Sequence, residues 1–164
     1  MDQTLEERAG SALNEKGWTL ALAESCTGGL IAHRITDIPG SSDYFLGGVM
    51  AYSNPVKEHL LGVKHETLLA VGAVSEETAR EMAMGASQTI GSDVGLSVTC
   101  IAGPGGGTDE KPVGLTYIGA STPEGEWVER HVFQGDRKSI KESASNAALK
   151  LLINALGGKM QRST

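Results

Sequence analysis

The chain is predicted to fold as an α/β protein, a three-layer α/β/α sandwich around a mixed parallel and antiparallel sheet. Two patterns carry that expectation. Short apolar runs alternate with segments whose apolar residues recur at helical spacing, as in strands joined by crossover helices. Near the C-terminus two further runs follow one another directly and read as an antiparallel hairpin. A length of 164 residues, 40% of them hydrophobic, fits one domain spanning residues 1–164, and no linker, repeat or low-complexity segment interrupts it.

Taken in order, Asp2 to Lys16 reads as a first helix, and "WTLALAES" is a short apolar run typical of a buried strand. A helix is expected from Thr27, because Leu30, Ile31, Ile35 and Ile38 repeat at helical spacing before the stop signal Pro39-Gly40. "LGGVMAYS" reads as a second strand, closed by the turn dipeptide Asn54-Pro55 with Lys57 just beyond it. Ser75, followed by Glu76 and Glu77, is an N-cap with acidic residues in the first turn of a helix. Its Ala79, Met82, Ala83, Ala86 and Ile90 share one face. "DVGLSVTCIA" is a third strand, "GPGGGTDEKP" a Gly/Pro loop, and "VGLTYIGAS" with "EWVERHVFQG" the hairpin. Asp136 is placed to cap a last helix whose stripe of Ile140, Ala144, Ala147, Ala148, Leu151, Leu152 and Ala155 ends at Gly157-Gly158.

Composition narrows the classes of partner. The 14 basic residues against 20 acidic ones give a formal charge of −6 with no Lys/Arg run, which argues against binding nucleic acid or an anionic membrane. The N-terminal "MDQTLEERAG" does not read as a signal peptide, and no apolar stretch approaches the roughly 20 residues of a spanning helix, so a cytoplasmic protein is expected. Cys26 and Cys100 make neither a disulfide framework nor a zinc spacing, and reduced thiols are the expectation.

Ligands in α/β sheets collect at the carboxyl ends of strands, and "ESCTGG", "AYSNPVK" and "TCIAGPGGG" all fall there. In the first, the amides of Cys26 to Gly29 could face an anion or a developing oxyanion with Ser25 at the mouth; alternatively, Ser25 and Thr27 only cap the helix. A nucleophilic serine needs a base. None of the 4 histidines lies in a triad signature, which leaves Lys57: partly buried it could accept the Ser25 proton, whereas solvated it does nothing. Cys26 is the rival nucleophile, activated by the same helix start, although a small apolar packing role suits it better. The glycines of "GPGGGT" could cradle a phosphate or simply approach the hairpin, and no Gly-Lys-Ser/Thr makes them a Walker loop. Arg137 and Lys141, cations at a helix start where the dipole disfavours them, suit a small anionic ligand.

As an ordered set, "LALAESCTGG", "GSSDYFLGGVMAYSNPVKEHLLGV", "GAVSEETAREMA", "IAGPGGGTDEKPVG" and "FQGDR" resemble the CinA C-terminal domain family from about Leu5 to Leu156. The resemblance implies hydrolysis of the carboxamide of nicotinamide mononucleotide to nicotinate mononucleotide and ammonia, in pyridine-nucleotide salvage and NAD metabolism, with no metal and no cofactor. It implies Ser25, Tyr52 and Lys57 as a Ser-Lys-Tyr catalytic set, with Lys57 taking the Ser25 proton directly or through Tyr52. For the substrate it implies Thr27, Gly28, Gly29, Ser42, Thr99, Gly105, Gly106, Arg137 and Lys141, the amides of Thr27 to Gly29 holding the oxyanion. The chain departs from the family pattern at Cys100, where glycine is usual, and at Lys141 and Ser143, where arginine and glutamine are usual. A symmetric homodimer is expected. The alternative function is a non-catalytic competence or recombination module that binds a protein partner.

Overall fold

The computed structural model describes residues 2–157, and their order of elements is that expected, with two α-helices and a 3-10 turn added. Helix α1 (Leu5–Lys16) starts at Thr4, whose hydroxyl accepts from the Glu7 amide while the Glu7 carboxylate accepts from the Thr4 amide. Strand β1 (Leu20–Glu24) is buried at all of its residues. Helix α2 (Leu30–Thr36) begins three residues later than expected, since Gly28 and Gly29 adopt left-handed φ values of 61° and 101° and spend residues 25–29 on a turn. A short 3-10 turn (Ser41–Asp43) leads into β2 (Phe45–Met50).

The Asn54-Pro55 pair does not close a turn. It opens helix α3 (Asn54–Leu61), where the missing proline N–H costs nothing in the first turn and the Ser53 hydroxyl accepts from the Val56 amide. Helix α4 (His65–Val71) has no buried residue and left no apolar periodicity to read. Helix α5 (Glu76–Ile90) has Ser75 at its N-cap, then come β3 (Val94–Cys100) and the hairpin β4 (Leu115–Thr122) and β5 (Gly125–Val132). Asp136 caps α6 (Arg137–Leu156), accepting from the Ser139 amide. The helix ends at Gly157; Gly158 lies outside the described residues.

The sheet order is β2-β1-β3-β4-β5, parallel for β2, β1 and β3 and antiparallel for β3, β4 and β5. Its two faces differ in the size of what they bury. Leu20 and Leu22 of β1 join Leu96, Val98 and Ile118 beneath α1, α2 and α6, where the stripe of α6 is buried. Ala21 and Ala23 face α3 and α5 with Leu61, Met82 and Ala86. Small side chains let α5 lie close: a Cβ on Gly85 would fall 1.8 Å from the Leu61 carbonyl oxygen, and one on Gly95 1.9 Å from that of Ala83. Because β1, β2 and β3 are parallel, Glu24, Met50 and Cys100 all end at one edge of the sheet, and the candidate site is built there. No described helix is long and apolar enough to cross a membrane.

Candidate active site

Ser25 follows the last residue of β1, held by its amide to the Val98 carbonyl at 3.1 Å, and is 8% exposed. It opens on a cleft of about 180 Å³ lined by Tyr52, Lys57, Thr99 and Arg137 among others. Lys57, in the first turn of α3, is the largest of the fully buried side chains, 1% exposed. Its Nζ lies 3.2 Å from Ser25 Oγ, 2.8 Å from the Ala51 carbonyl and 3.1 Å from the Tyr52 carbonyl. No described carboxylate pairs with it.

That setting decides what Lys57 can do. Burial without a counter-ion disfavours the ammonium and lowers its pKa from 10.5 to about 8. A neutral amine keeps two N–H donors and gains a lone pair. The two carbonyls accept those donors, so the lone pair is left for the remaining partner, the Ser25 hydroxyl. The geometry therefore fits a Ser-Lys pair in direct contact. Tyr52 is 64% exposed, and its hydroxyl accepts from Arg137 Nη2 at 3.0 Å, while its backbone carbonyl holds Lys57.

The turn after Ser25 is organised by a residue the sequence reading passed over. Glu24, 2% exposed, accepts from Thr27 Oγ1 at 2.7 Å and from the amides of Ile31 at 2.9 Å and Ala32 at 3.0 Å. A buried carboxylate thus satisfies the start of α2, where its charge also meets the positive end of the helix dipole. Those amides, and the Thr27 hydroxyl, are consequently not free for a substrate. The Gly28 amide is also taken, by the Ser25 carbonyl at 3.1 Å, which removes it from the expected oxyanion donors. Among the described residues, the amides of Cys26, Thr27 and Gly29 donate to no protein acceptor.

The remaining expected residues divide. Thr99 is buried and its hydroxyl donates to the Ala73 carbonyl at 2.8 Å, so that it ties the segment before α5 to the cleft wall. Arg137 bridges the site, donating to the Gly103 carbonyl at 2.6 Å as well as to Tyr52. With Lys141, Lys138, Glu142 and Leu30 it also lines an adjoining hollow of about 400 Å³. A Cβ placed on Gly28 would be 3.8 Å from Lys141 Nζ, so the cation overhangs the turn. Gly105 and Gly106 are exposed in the loop after β3 and do not line the Ser25 cleft; the loop meets it at Ala102, and Arg137 holds the Gly103 carbonyl. Ser42 is not brought to the Ser25 cleft: it precedes β2, at the opposite end of the sheet from Ser25, a strand length of roughly 16 Å away.

Reduced thiols are likewise not what the structure holds, since Cys26 and Cys100 form a disulfide with Cα atoms 5.7 Å apart. The register explains it. Glu24 pairs with Val98 across the parallel strands, so two residues further on Cys26 comes opposite Cys100. Cys26 therefore has no thiolate with which to compete with Ser25. Among the described residues no group of three or more His, Cys, Asp or Glu side chains could hold a metal ion.

Comparison with known proteins agrees with this architecture. The model of the CinA C-terminal domain matches residues 2–156, and the chain belongs to that family. It is 54% identical over 155 residues to a putative competence-damage inducible protein of Moorella thermoacetica, covering 94% of this chain and 37% of that one. It is also 54% identical over 149 residues to a CinA-like protein of Desulfotalea psychrophila, covering 91% and 36%. The chain thus spans little more than a third of the curated relatives it matches. Solved structures match over nearly their whole length: the competence/damage inducible protein CihA of Agrobacterium tumefaciens has a TM-score of 0.88 at 39% identity, covering 96% of this chain and 99% of that one. The competence damage-inducible protein A of Klebsiella pneumoniae has a TM-score of 0.90 at 32% identity, covering 95% and 97%.

Proposed function

We propose that this chain is an amidohydrolase that deamidates nicotinamide mononucleotide to nicotinate mononucleotide and ammonia. The observation that carries the reading is the buried Lys57, with no described carboxylate beside it and its Nζ 3.2 Å from Ser25 Oγ. The neutral amine takes the Ser25 proton as Oγ attacks the carboxamide carbon, and the tetrahedral oxyanion turns toward the open amides of the Cys26 to Gly29 turn. Lys57 then returns the proton to the departing nitrogen, the C–N bond breaks, and ammonia leaves an ester on Ser25. Water, deprotonated by the same amine, hydrolyses that ester. The direct Ser25–Lys57 contact supports Lys57 as the base without a relay, leaving Tyr52 to orient Arg137. Arg137 and Lys141 supply positive charge beside the nucleophile, where the phosphate of the nucleotide would rest.

The test is ammonia release from nicotinamide mononucleotide by the native chain and by Ser25→Ala, without added metal. Turnover by the native chain that falls by several orders of magnitude in the variant, with folding intact, supports the reading. The names of the relatives favour a second one, a competence-related protein-binding module. That reading predicts no ammonia from either chain and a function that survives Ser25→Ala.

A further inference from the structure

We propose that the Cys26–Cys100 disulfide is a reversible redox switch that sets the position of the Ser25 nucleophile. The proposal rests on the amidase reading only for its effect on turnover. The bond joins the residue after Ser25 to the last residue of β3, and both cysteines line the cleft that holds Ser25 and Lys57. Cys26 is buried in the core at 6% exposure, but Cys100 is partly exposed on the cleft wall. A small dithiol entering the cleft therefore reaches sulfur without unfolding the chain.

One thiolate of the dithiol attacks a sulfur of the bridge, breaking the Cys26–Cys100 bond and forming a mixed disulfide. The second thiolate then attacks the reagent's own sulfur in that bond, closing a cyclic disulfide and releasing the remaining cysteine. The protein gains two electrons and two protons, and the dithiol loses the same number. A disulfide of the same class reverses the step.

Two free thiols cannot stay at a bonded separation, so something must move. Cys100 is fixed by the sheet, paired with Thr116 across β4 and followed by the Ile101 amide bonded to the Leu115 carbonyl at 2.9 Å. Residues 25–29 form instead a turn with two left-handed glycines outside the sheet ladder, held by the Ser25 amide on the Val98 carbonyl and by the Thr27 hydroxyl on Glu24. The displacement therefore falls on the turn and shifts Ser25 Oγ relative to Lys57 Nζ. Misplacing a reacting group by about 1 Å costs up to roughly a hundredfold in rate, so reduction should lower kcat by about ten- to a hundredfold.

The experiment uses the full chain, purified without reductant and then treated with dithiothreitol in the absence of denaturant. Accessible thiols, amide hydrogen exchange of the segment 20–32, and ammonia release are followed together. Expected are no reactive thiols before treatment, two afterwards, faster exchange in that segment and slower turnover, all restored by reoxidation. Cys100→Ala, which has neither the bond nor a second sulfur to crowd the turn, should ignore dithiothreitol in both exchange and turnover. Free thiols in the oxidised protein, reduction that needs denaturant, or reduction that leaves exchange in 20–32 unchanged would each overturn the proposal. If exchange responds but neither form releases ammonia, the switch stands and the amidase reading fails. Turnover that is present and indifferent to reduction overturns the switch alone.

Discussion

Replacing Lys57 by methionine keeps a buried chain of similar length and removes the amine. The structure sets the size of the pH effect to be expected. A lysine at its ordinary 10.5 is neutral at pH 7 in roughly 0.03% of molecules, whereas one lowered to about 8 is neutral in roughly a tenth, a gain of about 300-fold in competent base. The kcat/KM for ammonia release from nicotinamide mononucleotide should accordingly rise about tenfold per unit at low pH and level off with an apparent pKa near 8. Lys57→Met should remove both the activity and the inflection. Stability gives a second reading of the same group. Between about pH 8 and 10.5 the unfolded chain still binds the proton that the folded chain has released, so the native protein gains stability as pH rises through that window. The gain is up to about 3 kcal/mol, and it should appear in the difference between the native chain and Lys57→Met in denaturant unfolding. Activity that is flat from about pH 6 to about pH 10, or that inflects near the ordinary lysine value, would refute Lys57 as a base tuned by burial.

Two further outcomes follow from named contacts. Arg137→Ala loses the bonds to the Gly103 carbonyl and the Tyr52 hydroxyl, and should raise the KM for nicotinamide mononucleotide by about tenfold or more; Tyr52→Phe removes only the second bond and should do less. Steady-state kinetics with an unchanged KM in Arg137→Ala would remove Arg137 from the binding site. Gly85→Ala forces a methyl to within 1.8 Å of the Leu61 carbonyl oxygen, so α5 must back away from α3. A loss of about 3 kcal/mol is expected in denaturant unfolding, and a loss under about 1 kcal/mol would mean that the helix yields without cost.

Much of the site was legible because its chemistry sits at strand ends that local sequence announces. Ser25 follows an apolar run and precedes paired glycines, and Lys57 follows the second strand. What Lys57 is worth was not legible. The same residue on a solvated helix is inert, and the packing of α3 against α5 and the alanines of β1 buries it beside Ser25. Ser42 stands apart from the Ser25 cleft for a related reason: closeness to a strand in sequence does not say at which end of the sheet a residue lies. Glu24 escaped notice because a lone acid at the end of a strand has no pattern until the amides of α2 arrive above it.

By itself, then, the sequence determined the alternation of strands and helices, the hairpin, the capping residues Ser75 and Asp136, the net acidity and the family to which the chain belongs. These are local or compositional properties, written in spacing and residue type. The tertiary structure decided the burial of Lys57 against Ser25, the open amides and the disulfide, because each depends on residues far apart along the chain. Cys26 and Cys100 are separated by 74 positions and meet only because β1 and β3 run parallel with Glu24 opposite Val98. A shift of that register by one residue would turn one cysteine to the other face of the sheet and leave two ordinary thiols.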